Sequence, residues 1–156
     1  MLVLALLVLL QTAPAPPGED PVAPYAMSDA NAGGGPFKGV AMLEAFHGVA
    51  GIGRIVDDLV TKSQADPRIG DIFKGQDMVR LRRTLKEQFC VLLNGGCHYT
   101  GRDMATAHKS LGIQAKDMNA LVENLQAAMR REGVAFPAQN GFLGKLAVMK
   151  PYVVTR

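Results

Sequence analysis

The chain has 156 residues, of which 48% are hydrophobic and 20% charged, and it contains no tryptophan. This size and balance suit one globular domain with a sizeable core. The formal net charge of +3 is only mildly basic, and no long run of like charge occurs, so the sequence does not indicate a nucleic-acid-binding surface.

The first residues differ in composition from the rest of the chain. Leu2 to Leu10 form an apolar run, shorter than the ~20 residues that a membrane-spanning helix needs. The run matches the core of a secretory signal, although no Lys or Arg precedes it and prolines crowd the candidate cleavage sites. We therefore expect residues 1–15 to be a signal-peptide-like or weak anchor segment of an exported, periplasmic or extracytoplasmic protein. Otherwise the protein is cytoplasmic, and membrane contact is expected only if the segment is retained.

The next segment, residues 16–38, is rich in Pro, Gly, Ala and Asp and contains the run Gly33-Gly34-Gly35-Pro36. This composition predicts a flexible linker. The globular domain then spans residues 39–156.

Apolar residues recur at helical spacing through this domain, and no segment alternates with a period of two. Asn94-Gly95-Gly96 and Gly133 mark helix ends, Pro137 can begin the last helix, and Pro151 is expected to kink or end it. The fold class is therefore predicted to be all-α. In chain order, helices are expected at 41–47, 52–62, 78–92, 104–111, 118–129 and from 137 onward, and residues 66–73 are expected to form a brief turn or helical segment.

One short helix is predicted to carry a histidine on its apolar face. Met104, His108 and Leu111 are spaced i, i+4 and i+7, so they share that face. Thr100 followed by Asp103 predicts a helix cap, and the glycine after Leu111 predicts a stop. A helix of ~2–3 turns is marginal by itself, so a ligand bonded to His108 would help to hold it.

Two interpretations of this histidine are open at this point. A lone histidine on an apolar face is commonly an ordinary core residue with a hydrogen-bonded ring. No spacing typical of a metal site built from several side chains occurs. A histidine that binds a metal by itself suits haem, whose porphyrin supplies the other four nitrogens.

Several landmarks resemble, by their order and spacing, the group 1 truncated haemoglobins, or 2-on-2 globins, over residues 43–154. The resemblance implies a two-over-two helical sandwich around one haem b per chain. The landmarks are Gly51-Ile52, Val56-Asp57-Asp58, Ala65-Asp66-Pro67, Phe73, Asn94-Gly95-Gly96, Tyr99-Thr-Gly101-Arg-Asp-Met104, Ala107-His108 and Leu111-Gly112-Ile113.

The resemblance also implies roles for particular residues. His108 would be the proximal ligand of the haem iron. One or two basic residues of the 78–92 helix would pair with the haem propionates, although a solvated basic face is the simpler interpretation of any one of Arg80, Arg82, Arg83 and Lys86. The haem cage would consist of Phe73, Leu81, Leu85, Phe89, Met104, Ile113, Met118 and Val122.

The sequence departs from the family pattern on the opposite, distal side. Leu59-Val60 stand where many members carry Phe-Tyr, and Leu81 and Leu85 stand where members often carry glutamine. Gln88 is the remaining candidate for a distal hydrogen bond, or else a surface glutamine at the helix edge. An apolar pocket is expected to hold oxygen weakly while leaving CO and NO binding possible.

Cys90 and Cys97 lie seven residues apart across a predicted helix end. In an exported protein they are expected to form a disulfide, and some members of the family that the chain resembles have a cysteine pair at the same spacing. In a cytosolic protein they would be two reduced, partly buried thiols.

The function implied by the resemblance is reversible binding of O₂, CO and NO, for oxygen binding or transport or for NO detoxification. NO dioxygenase or peroxidase-like activity follows from the family alone and would need an unknown reductase. The alternatives are a haem redox or gas-sensing protein with a second ligand from the chain, and a helical interaction protein that has lost haem. Thr84 stands where that second ligand would be expected, which disfavours the redox alternative.

Overall fold

A computed structural model describes residues 15–155, and within that range it contains helices and no strand. The predicted all-α class is confirmed. Two short 3₁₀ turns lie at Asp29–Ala32 and Gly70–Phe73. The α-helices are α1 Ala41–Ala45, α2 Gly48–Ala65, α3 Met78–Leu92, α4 Met104–His108, α5 Ala115–Glu132, α6 Phe136–Ala147 and α7 Lys150–Val153.

The apolar segment predicted over residues 1–15 lies almost entirely outside the described residues. Across the part of the chain that is described, no helix combines the length and the hydropathy needed to cross a membrane.

The long helices pack in two layers around one core. Helix α2 packs against both α3 and α5, α5 also contacts α6, and α4 packs against α7. Phe142 of α6 stands at the centre, because its ring meets the rings of Phe46 and Phe89 edge to face at centroid distances of 5.1 and 4.8 Å. Such aromatic pairs add directional contacts to the area that they bury.

The positions of α2 and α3 follow from local sequence signals. The apolar stripe of α2 is buried from Ile52 to Val60, as its i, i+3, i+4 spacing predicts. Helix α3 begins after Asp77, whose Oδ1 accepts a hydrogen bond from the backbone N–H of Arg80 at 2.9 Å. It ends just before Asn94, which adopts a left-handed conformation with φ of 63°.

A disulfide joins the end of α3 to the connection that follows. Cys90 and Cys97 are bonded, with their Cα atoms 5.8 Å apart. A side chain at Gly95 would collide with the Cys90 sulfur, so glycine is required there for a steric reason. The pair therefore closes a tight loop between the helix and the segment leading to α4.

Residues 16–38 do not form the flexible linker that their composition predicts, because they lie against the helices. Tyr25 donates a hydrogen bond from its hydroxyl to the carbonyl of Thr100 at 2.6 Å. The backbone N–H of Phe37 donates to the carbonyl of Leu92 at 2.8 Å. Their partners come from the distant end of α3 and the segment before α4, so local composition did not reveal them.

The chain also differs from the prediction near Pro151. This proline does not end the last long helix, because α6 already stops at Ala147. Pro151 instead occupies the first turn of the separate helix α7. Backbone N–H groups in the first turn have no partner within the helix, so the missing N–H of proline costs no hydrogen bond there.

Candidate functional site

One large cavity of about 510 Å³ lies between α2 and α3 on one side and α4 and α5 on the other. Its size is within the range of pockets that hold small molecules and cofactors. All the residues expected from the sequence to surround a haem line this single cavity. They are Phe73, Leu81, Leu85, Gln88, Phe89, Met104, His108, Ile113, Met118 and Val122.

Helix α4 places His108 at the cavity. The helix has five residues and begins after Asp103, whose Oδ1 accepts from the backbone N–H of Thr106 at 2.9 Å. Thr100 does not contribute to this cap, contrary to the prediction. Its backbone N–H and hydroxyl both donate to Glu87 of α3, each at 2.8 Å, so it ties the connection to α3 instead.

The imidazole of His108 is held in one tautomer by the backbone. Its Nδ1 lies 2.7 Å from the carbonyl oxygen of Met104, which can only accept a hydrogen bond. Nδ1 therefore carries the proton, and the lone pair of a neutral ring lies on Nε2. Metal-binding histidines in proteins are commonly oriented by this kind of bond from the other ring nitrogen.

The two other histidines are surface residues that pair with carboxylates away from the cavity. His47 lies 3.1 Å from Glu132, and His98 lies 3.1 Å from Asp29. Within residues 15–155 no group of three or more His, Cys, Asp or Glu side chains is arranged to hold a metal ion. His108 is thus the histidine that a cofactor in the cavity would meet.

The wall formed by α2 and α3 is largely apolar, as their sequences predict. Val60, Leu81 and Leu85 line it, and none of these side chains can donate a hydrogen bond. Two hydroxyls also reach the cavity. The Thr84 hydroxyl donates back to the carbonyl of Arg80 at 3.0 Å, and the Ser63 oxygen accepts from Asn124 at 3.4 Å.

Gln88 is buried, and its amide bonds to other residues of the chain instead of being free to donate to a ligand on the distal side. Its Nε2 donates to the carbonyl of Ala32 at 2.9 Å and lies 3.3 and 3.5 Å from the sulfurs of Met104 and Met149. Because these neighbours occupy both of its N–H groups, the amide secures the N-terminal segment. Because Gln88 is buried, the alternative prediction of a surface glutamine at the helix edge is wrong as well.

The basic residues of α3 mostly bond to acidic groups rather than facing the cavity. Arg82 and Lys86 both reach Asp57, at 3.2 and 2.8 Å. Arg80 is the one of the four that lines the cavity within the described structure, and it is paired with Glu19. Arg80 is therefore the one of these four residues whose position is compatible with a contact to a propionate, which stays a prediction.

Three cavity residues come from the N-terminal segment and were missed by the sequence analysis. Asp20, Val22 and Tyr25 all line the cavity. The available signal was the two aromatic residues of this Pro- and Gly-rich stretch, Tyr25 and Phe37, because aromatic side chains are scarce in disordered segments.

Tyr99 also lines the cavity. Its ring is buried and its hydroxyl donates to the carbonyl of Arg102 at 2.9 Å. Burial, with nearby acidic groups, raises the pKa of Tyr99 to about 12, so the hydroxyl remains a neutral donor at physiological pH. This bond fixes the turn that leads into α4.

These features fit haem better than a bare metal ion. A single oriented imidazole nitrogen is too small a donor set for an isolated transition metal, whereas haem iron needs just such an axial ligand. The remaining lining is largely aliphatic and aromatic, and it would bury the flat apolar ring of a porphyrin.

Comparison with known proteins agrees with this geometry. The model of the family described as bacterial-like globin matches residues 41–154. A group 1 truncated haemoglobin of Tetrahymena thermophila is 32% identical over 98 residues, which are 63% of this chain and 81% of that protein. A second, from Nostoc commune, is 27% identical over 109 residues, covering 70% and 92% of the two chains.

The fold is similar to solved structures of the same kind. The crystal structure of truncated haemoglobin from Tetrahymena pyriformis in its Fe(III) form has a TM-score of 0.71 and 26% identity, covering 74% of this chain and 98% of that one. The chain therefore belongs to the bacterial-like globins, and among them to the truncated haemoglobins. Membership implies that it binds haem and, through haem, diatomic gases such as O₂.

Proposed function

We propose that this protein holds one haem b with His108 as its iron ligand, and that it binds O₂, CO and NO reversibly. The observation that carries the proposal is the His108 ring itself. His108 lines the cavity, and the hydrogen bond from its Nδ1 to Met104 leaves the lone pair of Nε2 available to bind iron. When bound, haem would supply an iron atom with an open position for a diatomic gas.

Residues on the two walls of the cavity would pack against opposite sides of the haem. Met104, Ile113 and Met118 would pack against the haem from the side of α4 and α5, while His108 anchors it. Leu81, Leu85 and Phe73 would pack from the other side and exclude water. Arg80 lines the cavity beside its partner Glu19, and it is the basic residue of α3 that would meet a haem propionate.

The apolar character of the α2 and α3 wall sets the expected ligand preference. Oxygen is retained by globins chiefly through a hydrogen-bond donor, and Val60, Leu81 and Leu85 offer none. CO and NO depend less on such a donor. The supported role is therefore gas binding with fast oxygen release, which favours NO or CO chemistry over oxygen storage.

A hemin titration tests the proposal. The purified protein is expected to develop an intense Soret band with one hemin per chain, and the band should shift when CO is added after reduction. His108→Gly removes the ligand, so its haem should be weakly held and acquire a changed spectrum. Added imidazole should restore the wild-type spectrum, because it can occupy the space left by the missing ring.

His98→Gly is the matched control, because that histidine is exposed and lies away from the cavity. It should take up hemin like the wild type. A His108→Gly protein with unchanged ferric and CO spectra would show that His108 is not the ligand.

A further inference from the structure

The N-terminal segment crosses the cavity from one wall to the other. We define residues 18–32 as the strap. Near its start, the backbone N–H of Asp20 donates to Asp77, the capping residue of α3, at 2.8 Å. Further along, Tyr25 bonds to the carbonyl of Thr100 in the segment that leads into α4. The strap therefore connects the two sides between which the cavity opens.

A buried acidic residue fastens the strap to α3. The Glu19 side chain is 1% exposed, and its carboxylate pairs with both Arg80 and Arg83. A buried carboxylate needs such partners, since an unpaired one would be costly. The hydrogen bond from Arg83, followed by the one from Arg80, holds the pKa of Glu19 below its usual value, although burial opposes this shift.

The opposite end of the strap is also fixed. Ala32 is fully buried and its carbonyl accepts the hydrogen bond from Gln88. Asp29 accepts a hydrogen bond from the backbone N–H of Tyr99 at 2.8 Å. Bonds at both ends and in the middle make the strap a defined part of the structure.

The inner side of the strap forms part of the cavity surface. Asp20, Val22 and Tyr25 line the cavity together with His108. The guanidinium of Arg102, which also lines the cavity, lies over the Tyr25 ring at 5.3 Å from the ring centroid. The strap lies outside residues 41–154, which match the family, so it adds to the shared globin domain.

We propose that the strap is an additional wall of the haem site, in which Val22 and Tyr25 close the cavity over bound haem and Glu19 is the positioning residue that holds the wall shut. This inference rests on the proposed function, because it requires haem in the cavity. Its consequence is slow haem loss. Loss of the Glu19 ion pairs would leave the bond from His108 to iron intact. It would open the side of the cavity that the strap covers, and haem would leave by that side.

The test uses the full, haem-loaded chain and measures transfer of haem to excess apomyoglobin. Glu19→Gln removes the charge, and we expect haem loss to be roughly tenfold faster, as for loss of a charge-assisted hydrogen bond. Tyr25→Ala removes the wall itself and should have at least as large an effect. In the haem-free chain, Glu19→Gln should also speed backbone hydrogen exchange in residues 19–28.

Two matched controls distinguish the wall from general destabilisation. Glu132→Gln removes the charge of another largely buried acid that bonds to two basic side chains, those of Arg54 and His47, and that lies away from the cavity. Tyr152→Ala removes an exposed tyrosine. Both controls should lose haem at the wild-type rate.

The outcomes separate the two proposals. If the wild-type protein takes up no hemin, the proposed function fails and the strap inference fails with it. If haem binds but Glu19→Gln and Tyr25→Ala release it at the wild-type rate, the strap inference alone is overturned. It is also overturned if Glu132→Gln releases haem as fast as Glu19→Gln.

Discussion

At the scale of single residues, Gln88 shows how a polar group in a cavity wall can serve structure instead of ligand binding. Its position on α3 faces the cavity, as its spacing from Leu85 suggests. Its N–H groups are nevertheless directed at Ala32 and two methionine sulfurs. The partner that decides its role lies 56 residues away, in the strap.

Replacing Gln88 by leucine should therefore lower stability and leave oxygen release unchanged. The buried carbonyl of Ala32 would lose its donor, and an unpaired buried group costs about 1–3 kcal/mol. Urea unfolding of the haem-free chain measures the first effect, and stopped-flow oxygen dissociation from the loaded protein measures the second.

Gln139→Leu is the control, since Gln139 is also buried and donates to a backbone carbonyl, that of Val134, but not at the cavity. It should cost a similar free energy. A Gln88→Leu protein of wild-type stability with faster oxygen release would restore the distal role predicted from the sequence.

His108 and the apolar lining could be predicted from the sequence because helical spacing and family landmarks are local. Met104 and His108 share a face whenever their segment is helical. The Arg80 and Arg83 partnerships could not be predicted, because Glu19 lies in a segment without any periodic pattern. The same reason explains why Val22 and Tyr25 were missed.

At the scale of elements, the loop closed by Cys90 and Cys97 ties the end of α3 to the path toward α4. The link spans seven positions of sequence, so its effect on the unfolded chain is that of a short loop. Closing a loop of this length is worth about 2.5 kcal/mol in the chain-entropy description.

We predict that the disulfide forms in the oxidised protein and that its reduction lowers stability by about that amount. Mass spectrometry with alkylation, before and after reduction, should find no free thiol at first and two afterwards. Urea unfolding with and without reductant measures the change in free energy. A double variant with Cys90→Ser and Cys97→Ser should not respond to reductant, and two free thiols in the oxidised protein would contradict the prediction.

The helices differ in how far their sequences define them. Helices α2, α3 and α5 carry long apolar stripes, and the structure contains them close to the predicted bounds. The break between α6 and α7 was not predicted, and Met149 and Val153, which lie beside and within α7, line the cavity. Where the helical pattern of the sequence is weak, the bounds of a helix could not be predicted from local residues alone.

At the scale of the whole molecule, many carboxylates are held ionised by hydrogen bonds. The pKa of each lies below its ordinary value because cationic side chains or backbone N–H groups donate to it. Such groups bind protons less readily when folded, so their contribution to stability is complete above the ordinary pKa and is lost as the pH falls through the lower folded values. They include Glu19, Asp66, Asp77, Asp103 and Glu132.

The haem-free chain should accordingly unfold at lower temperature as the pH falls below about 4.5, the ordinary value of a glutamate. Calorimetry at a series of pH values measures this dependence, and added salt should weaken it for the exposed pairs. Glu19→Gln should make the acid dependence less steep. A melting temperature that does not change between pH 7 and pH 3 would contradict the prediction.

The strap also constrains the order in which the molecule is assembled on the ribosome. It is synthesised before every partner that holds it, since Asp77, Arg83 and Thr100 follow their strap partners by 57, 64 and 75 residues. Contacts of such long range carry a larger loop-closure cost than local contacts do. The strap therefore cannot dock over the cavity until Thr100, the last of these partners, has been synthesised.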